Sequence, residues 1–135
     1  MPKVRELAEA ILEMSKRTWI ETSKQTAELT ESEFLVLDHL ADSRTATVGE
    51  IGHHVRVLPA QMSRILRRLE TAGLISSDIN PDDRRKINIT ATQQGIQGHA
   101  RYRDAKLAPI TTALERLTEG ERSQFMALVR TMAQR

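Results

Sequence analysis

Between Thr47 and Thr92 the spacing of apolar residues changes once, at Gly73, and that single change limits what the chain can become. Upstream, Val48, Ile51 and Val55, and then Met62, Ile65, Leu66 and Leu69, recur every three or four positions. Such spacing lines one face of a helix. Downstream of Gly73 the period moves toward two, with Leu74, Ile75 and Ile79 on one side of Asn80-Pro81-Asp82-Asp83 and an alternating Lys86-Ile87-Asn88-Ile89-Thr90 on the other. Two alternating runs joined by turn chemistry predict an antiparallel hairpin. Pro59 stands where a first helical residue would, and Gly73 where a left-handed cap would close the second helix. The predicted order is therefore a short helix, a second helix and a two-stranded ribbon.

The helices on either side have legible starts. Thr30-x-x-Glu33, Thr47-x-x-Glu50 and Thr118-x-x-Glu121 each match a capping box, in which the threonine hydroxyl and the glutamate carboxylate satisfy backbone amides that the helix itself leaves unpaired. Before the first box, Val4, Leu7, Ala8, Ile11, Leu12, Ser15, Thr18, Trp19 and Thr22 form a stripe several turns long. Phe34, Leu37 and Leu40 follow the Thr30 cap and indicate a short helix. Beyond the ribbon, Ile96, Tyr102, Leu107, Ile110 and Leu114 predict a second long helix from Thr92 to about Leu117, kinked at Pro109. Phe125, Leu128, Val129 and Met132 predict a last one. The fold class expected is mainly α (α+β).

Charge separates the middle of the chain from its beginning. Residues 1–43 carry 5 Lys and Arg against 9 Asp and Glu, whereas residues 56–86 carry 7 against 4. A basic segment of this kind fits a polyanion, although a solvated helix face alone also produces one. On the Pro59 helix the apolar stripe faces inward, so Gln61, Arg64, Arg67 and Arg68 project elsewhere. Short helix, basic helix and basic ribbon, in that order, make a winged helix-turn-helix, whose second helix enters the DNA major groove by its N-terminal turns. Gln61 suits adenine, Arg64 suits guanine, and Ser63 beside them suits phosphate. Arg67 and Arg68, one turn on, suit phosphates. The ribbon tip adds Arg84, Arg85 and Lys86, able to reach a minor groove, with Asp83 placed to hold an arginine.

Other chemistries find little support. There is no cysteine, which removes disulfides, thiolate metal sites and cysteine redox chemistry. Adjacent His53 and His54 point about a third of a turn apart, and His39 and His99 are remote from them, so surface histidines are expected rather than a metal site. No nucleophile, histidine and carboxylate are grouped by spacing, so no catalytic residues and no cofactor are expected. The longest apolar runs are too short for a signal core or a membrane span, which points to a cytoplasmic protein with no membrane partner.

With these residues in view, the chain resembles the MarR family of bacterial transcription regulators. The resemblance rests on Leu29-Thr30-x-x-x-Phe34-x-x-Leu37, on Ser63-Arg64-x-Leu66-x-x-Leu69-Glu70-x-x-Gly73-Leu74-Ile75, and on Asp83-Arg84-Arg85 followed by Ala91-Thr92 and Gly95. Two positions depart from the pattern: Ala91, where the family usually has leucine, and Leu58-Pro59, where a small polar cap is common. The resemblance implies a single domain over 1–135, with a winged helix-turn-helix lobe at 30–92 and dimerisation helices at 1–28 and 93–135. It implies a homodimer on a near-palindromic operator, most simply a repressor, with Ala60, Gln61, Ser63 and Arg64 in the major groove. Arg85, oriented by Asp83, would enter the minor groove. It further implies a small anionic or phenolic ligand near Arg17, Trp19, His39 and Tyr102. The alternative is a winged-helix module that docks on another protein and has no DNA site of its own.

Overall fold

The computed structural model describes residues 1–25 and 29–134, without the side chains of Trp19 and of residues 21–25. In chain order the elements are α1 (Val4–Gln25), α2 (Glu31–Ser43), β1 (Thr45–Thr47), α3 (Val48–Val55), α4 (Pro59–Thr71), β2 (Ile75–Ile79), β3 (Ile87–Ala91), α5 (Gln93–Leu114) and α6 (Glu119–Ala133). Each predicted capping box forms. Thr30, Thr47 and Thr118 accept the N–H of the third helical residue through their hydroxyls, and Glu33, Glu50 and Glu121 accept the cap N–H in return. At 13 residues, α2 is longer than its three apolar positions implied. Pro109 lies inside α5, which continues past it to Leu114.

The ribbon is part of a three-stranded antiparallel sheet in the order β1-β3-β2. The sequence gives no sign of β1, because three residues are too few to display an alternation. It forms because Arg44, in a positive-φ conformation (φ 65°), turns the chain out of α2 and passes its carbonyl to the Ala91 N–H at 3.0 Å. Thr45 and Thr90 then pair across the strands, their hydroxyls 3.0 Å apart. The core of this region joins Val36, Leu37 and Leu40 of α2 to Ile51 of α3, to Met62, Leu66 and Leu69 of α4, and to Ile75 and Ile89 of the sheet. Ala91, the departure from leucine, is buried among them.

Two junctions hold the ribbon on its helices. At the end of α4 the Leu74 N–H donates to the Leu69 carbonyl (2.9 Å) and the Gly73 N–H to the Glu70 carbonyl (3.0 Å). This double closure needs a left-handed residue at Gly73, where φ is +76°. At the start of α5 the Thr92 hydroxyl donates to the Gly73 carbonyl (2.6 Å) and accepts the Gly95 N–H (3.1 Å), while the Leu74 carbonyl accepts the Thr92 N–H (3.1 Å). A β-carbon at Gly95 would stand 2.0 Å from the Leu74 carbonyl oxygen.

The chain divides into two compact units, one of residues Thr26–Arg103 and one of Met1–Gln25 with Asp104–Arg135. The boundary falls at Asp104 and not at residue 93, so the first turns of α5 belong with the winged unit. The reason is local packing. Tyr102 and His99 lie against Phe34 of α2, and Gly95 lies against Leu74. In the other unit, Val4, Leu7, Ile11, Leu12 and Met14 of α1 are exposed, as are Phe125, Met126, Leu128, Val129 and Met132 of α6. No residue of α6 is buried.

Candidate nucleic-acid interface

α4 presents opposite faces of opposite character. Met62, Leu66 and Leu69 are buried, whereas Ala60, Gln61, Ser63, Arg64, Arg67 and Arg68 are exposed. Its N-cap is Leu58, whose side chain has no oxygen to offer the helix, and Gln61 supplies half of a capping box by accepting the Leu58 N–H at 3.3 Å. Gln61, expected to read a base, is thus engaged in holding the helix start. It would have to leave Leu58 to meet an adenine. Ala60, Ser63 and Arg64 stand exposed in the first two turns, and Arg64, Arg67, Arg68, Thr71 and Ala72 line an open groove of about 420 Å³.

Arg68, expected on a phosphate, also has a protein partner, while its side chain stays 57% exposed. Its Nε donates to Oε2 of Glu33, a carboxylate that is 2% exposed at the first turn of α2. The other carboxylate oxygen, Oε1, accepts the Thr30 N–H at 2.8 Å. Burial pushes the Glu33 carboxyl up, but the hydrogen bonds from Arg68 and Thr30 and the Arg68 charge outweigh it and hold the group below its ordinary value of 4.5. A carboxylate whose folded value is depressed contributes stability that is complete above the unfolded value and is lost as pH falls through the folded one. The difference in unfolding stability between the protein and its Glu33→Gln variant is therefore expected to shrink below pH 4.5. Denaturant titrations at a series of acid pH values measure it, and a difference independent of pH would show that the carboxylate is not ionised in this pair.

The ribbon tip is set by Asn80, which the turn composition alone did not single out. Its Oδ1 accepts the N–H groups of Asp82 (2.9 Å) and Asp83 (3.1 Å), and its Nδ2 donates to Oδ1 of Asn88 (3.0 Å). The loop so fixed aims Asp83 at Arg85. Oδ1 of Asp83 accepts from the Arg85 backbone N–H at 3.0 Å and Nε at 3.1 Å, and Oδ2 accepts from Nη2 at 3.4 Å. The Arg85 hydrogen bonds hold the Asp83 carboxyl below its ordinary value. Even so, the Arg85 side chain is 91% exposed, so it is oriented yet available. Arg85 and Lys86 also border a groove of about 260 Å³ with Thr47, Val48 and Gly49 at the start of α3. Asn80→Ala removes three hydrogen bonds at the tip, an expected local cost of about 1–2 kcal/mol. Hydrogen exchange should then quicken at the Asp82 and Asp83 amides; unchanged protection would mean that Pro81 and the strands alone shape the tip.

His53 and His54 are exposed, as expected, whereas His39 is half-buried and His99 buried. His99 is buried, its ring stacked on Phe34 (centroids 5.1 Å, planes 6° apart) and its Nε2 2.7 Å from Oδ1 of Asp38. A ring nitrogen on α5 can enter the core because Asp38 satisfies it. His39 meets His54 of α3, ring centroids 4.5 Å apart, two residues whose sequence separation gave no hint of contact. Among the described residues no group of three or more His, Asp or Glu is arranged to hold a metal. Of the four candidate ligand residues, Tyr102 is buried on Phe34 and bonds through its hydroxyl to Glu31 at 3.4 Å. His39 is turned to His54, Arg17 is exposed on α1, and the Trp19 side chain lies outside the described residues.

Residues 29–87 match the MarR family model. The HTH-type transcriptional repressor Rv2887 of Mycobacterium tuberculosis is 29% identical over 101 residues, covering 75% of this chain and 73% of that protein. The fold is shared with wild-type MarR of E. coli in its apo form (TM-score 0.82, 18% identity, 99% of this chain and 98% of that one). It is shared also with the PcaV transcriptional regulator of Streptomyces coelicolor in complex with its natural ligand (TM-score 0.68, 22% identity, 98% and 97%). No helix among the described residues is long and apolar enough to cross a membrane.

Proposed function

We propose that this chain, which belongs to the MarR family, is a sequence-specific transcription regulator that binds duplex DNA as a homodimer and represses from a near-palindromic site. One observation carries the reading. A single packed unit presents both an arginine-bearing helix face, with Ser63, Arg64 and Arg67, and a wing whose exposed Arg85 is oriented by Asp83. Guanidinium groups held in place on two elements of one core suit a groove and its flanking phosphates, since arginine pairs bidentately with guanine and is drawn to narrow minor grooves. Arg84 and Lys86, beside Arg85, add charge for the backbone. Nothing in this role calls for catalysis.

Dimerisation is supported by the apolar residues that α1 and α6 leave in water. Stripes of this size are rare on soluble monomers and mark association surfaces. A second copy covering them would set two wings at fixed spacing, which is what a palindromic site requires. A small anionic or phenolic effector is the further expectation, with Arg17, Trp19, His39 and Tyr102 as its candidate contacts; that PcaV was solved with a natural ligand and that 6-hydroxynicotinic acid regulates DNA binding by BpsR of Bordetella bronchiseptica support it.

Selection of binding sites from random duplex DNA at fixed salt tests the reading. A two-fold symmetric consensus is expected. No enrichment would overturn it in favour of a winged-helix module that docks on another protein.

A further inference from the structure

We propose that Glu33 is a positioning residue for DNA recognition: through Arg68 it sets the rotation of α4 about its own axis, and so decides where Arg64 and Arg67 meet the DNA. The inference rests on the function proposed above and concerns the same site.

The apolar face of α4 fastens the helix to the core and sets its angle only approximately. Met62, Leu66 and Leu69 are buried, but apolar contact is non-directional and tolerates small rotations. A charge-assisted hydrogen bond is directional, and Arg68 to Glu33 joins α4 to the first turn of α2 by one. The carboxylate cannot follow a moving arginine. Its other oxygen is held by the Thr30 N–H, and the Thr30 hydroxyl returns the bond by accepting the Glu33 N–H. Arg64 and Arg68 are one turn apart on the same side of α4, so whatever rotates one rotates the other. Side chains reach about 5–6 Å from a helix axis, so a rotation of about 20° moves their heads by about 2 Å, enough to break a bidentate pairing with a base. Arg68 thereby serves recognition through Glu33 and not as a phosphate ligand.

The test compares two duplexes, the one enriched from random DNA by the wild-type protein and a scrambled duplex of equal length, bound by the full-length protein at several salt concentrations. Glu33→Gln keeps an oxygen for the Thr30 N–H but has no second oxygen for Arg68. It is expected to lower affinity for the selected duplex roughly tenfold, the size of one good base pairing, with affinity for the scrambled duplex undiminished. Arg68→Ala is expected to lower the same ratio, and the double variant to lower it no further, because both changes remove one linkage. Thermal melting of all three variants separates this effect from loss of fold. Should Glu33→Gln not fold, the ratio and the salt slope of Arg68→Ala decide alone.

Two outcomes overturn the proposal and leave the function standing: a selected duplex whose preference survives both single variants, or an Arg68→Ala variant that weakens both duplexes alike and flattens the slope by about one counterion. If the wild-type protein enriches no duplex at all, the function itself fails, and this inference falls with it.

Discussion

A Gly95→Ala variant is expected to melt roughly 10 °C below the wild-type protein, a loss of about 3 kcal/mol. Overpacking is costly where the clashing atom belongs to the backbone, and here a methyl would stand 2.0 Å from the Leu74 carbonyl oxygen and 3.0 Å from its carbon. That carbonyl is not free to retreat, because it accepts the Thr92 N–H at 3.1 Å. The only relief is for the first turn of α5 to back away from the ribbon. Doing so would pull Thr92 from the Gly73 carbonyl and His99 from the Phe34 ring. Thermal unfolding followed by circular dichroism measures the effect. A melting temperature within a degree or two of wild type would mean that α5 does not sit this tightly on the ribbon.

Arg64→Ala is expected to relax sequence preference at one base pair of each half-site, at about 1–3 kcal/mol for each bidentate pairing removed. The contrast is Arg67→Ala, which should weaken binding to every sequence alike and reduce the salt slope by about one, as removal of a phosphate ligand does. Both residues are exposed on α4, and their different expectations come from position alone. On the proposed reading, Arg64 lies in the half of α4 that would enter the groove, and Arg67 in the half that would leave it. Binding-site selection repeated with each variant reads both effects. Unchanged preference with Arg64→Ala would remove that residue from the bases, and an unchanged salt slope with Arg67→Ala would remove that one from the phosphates.

Much of this interface could be read locally. The starts of α2, α3 and α6 are visible in a Thr and a Glu three residues apart, because a capping box is complete within four residues. The close of α4 is visible in Gly73, because a left-handed cap is a requirement on one residue. The grip of Asp83 on an arginine of the tip was legible for the same reason, and the resemblance implied that this arginine is Arg85. The role of Asn80 was only half legible: Asn before Pro and Asp announces a turn, but its bond to Asn88 depends on the register of β2 with β3. Gly95 stood in the sequence as part of a resemblance, without a cause until Leu74 was found beneath it.

What the sequence alone determined is therefore the elements other than β1, their order and the basic character of two of them, all consequences of periodicity and of contacts within a turn. The tertiary structure decided which basic residues are also tied to the protein core. Arg68 and Arg64 lie one turn apart on the exposed side of α4, yet Nε of Arg68 meets a buried carboxylate 35 residues away, a contact that no helical wheel displays. It also decided that β1 exists, that His99 enters the core on Asp38, and that His39 meets His54. Each of these is a pairing between distant positions. The free energy that brings such positions together comes from excluding water between surfaces that meet only once the chain has folded, and directional contacts then fix which groups pair.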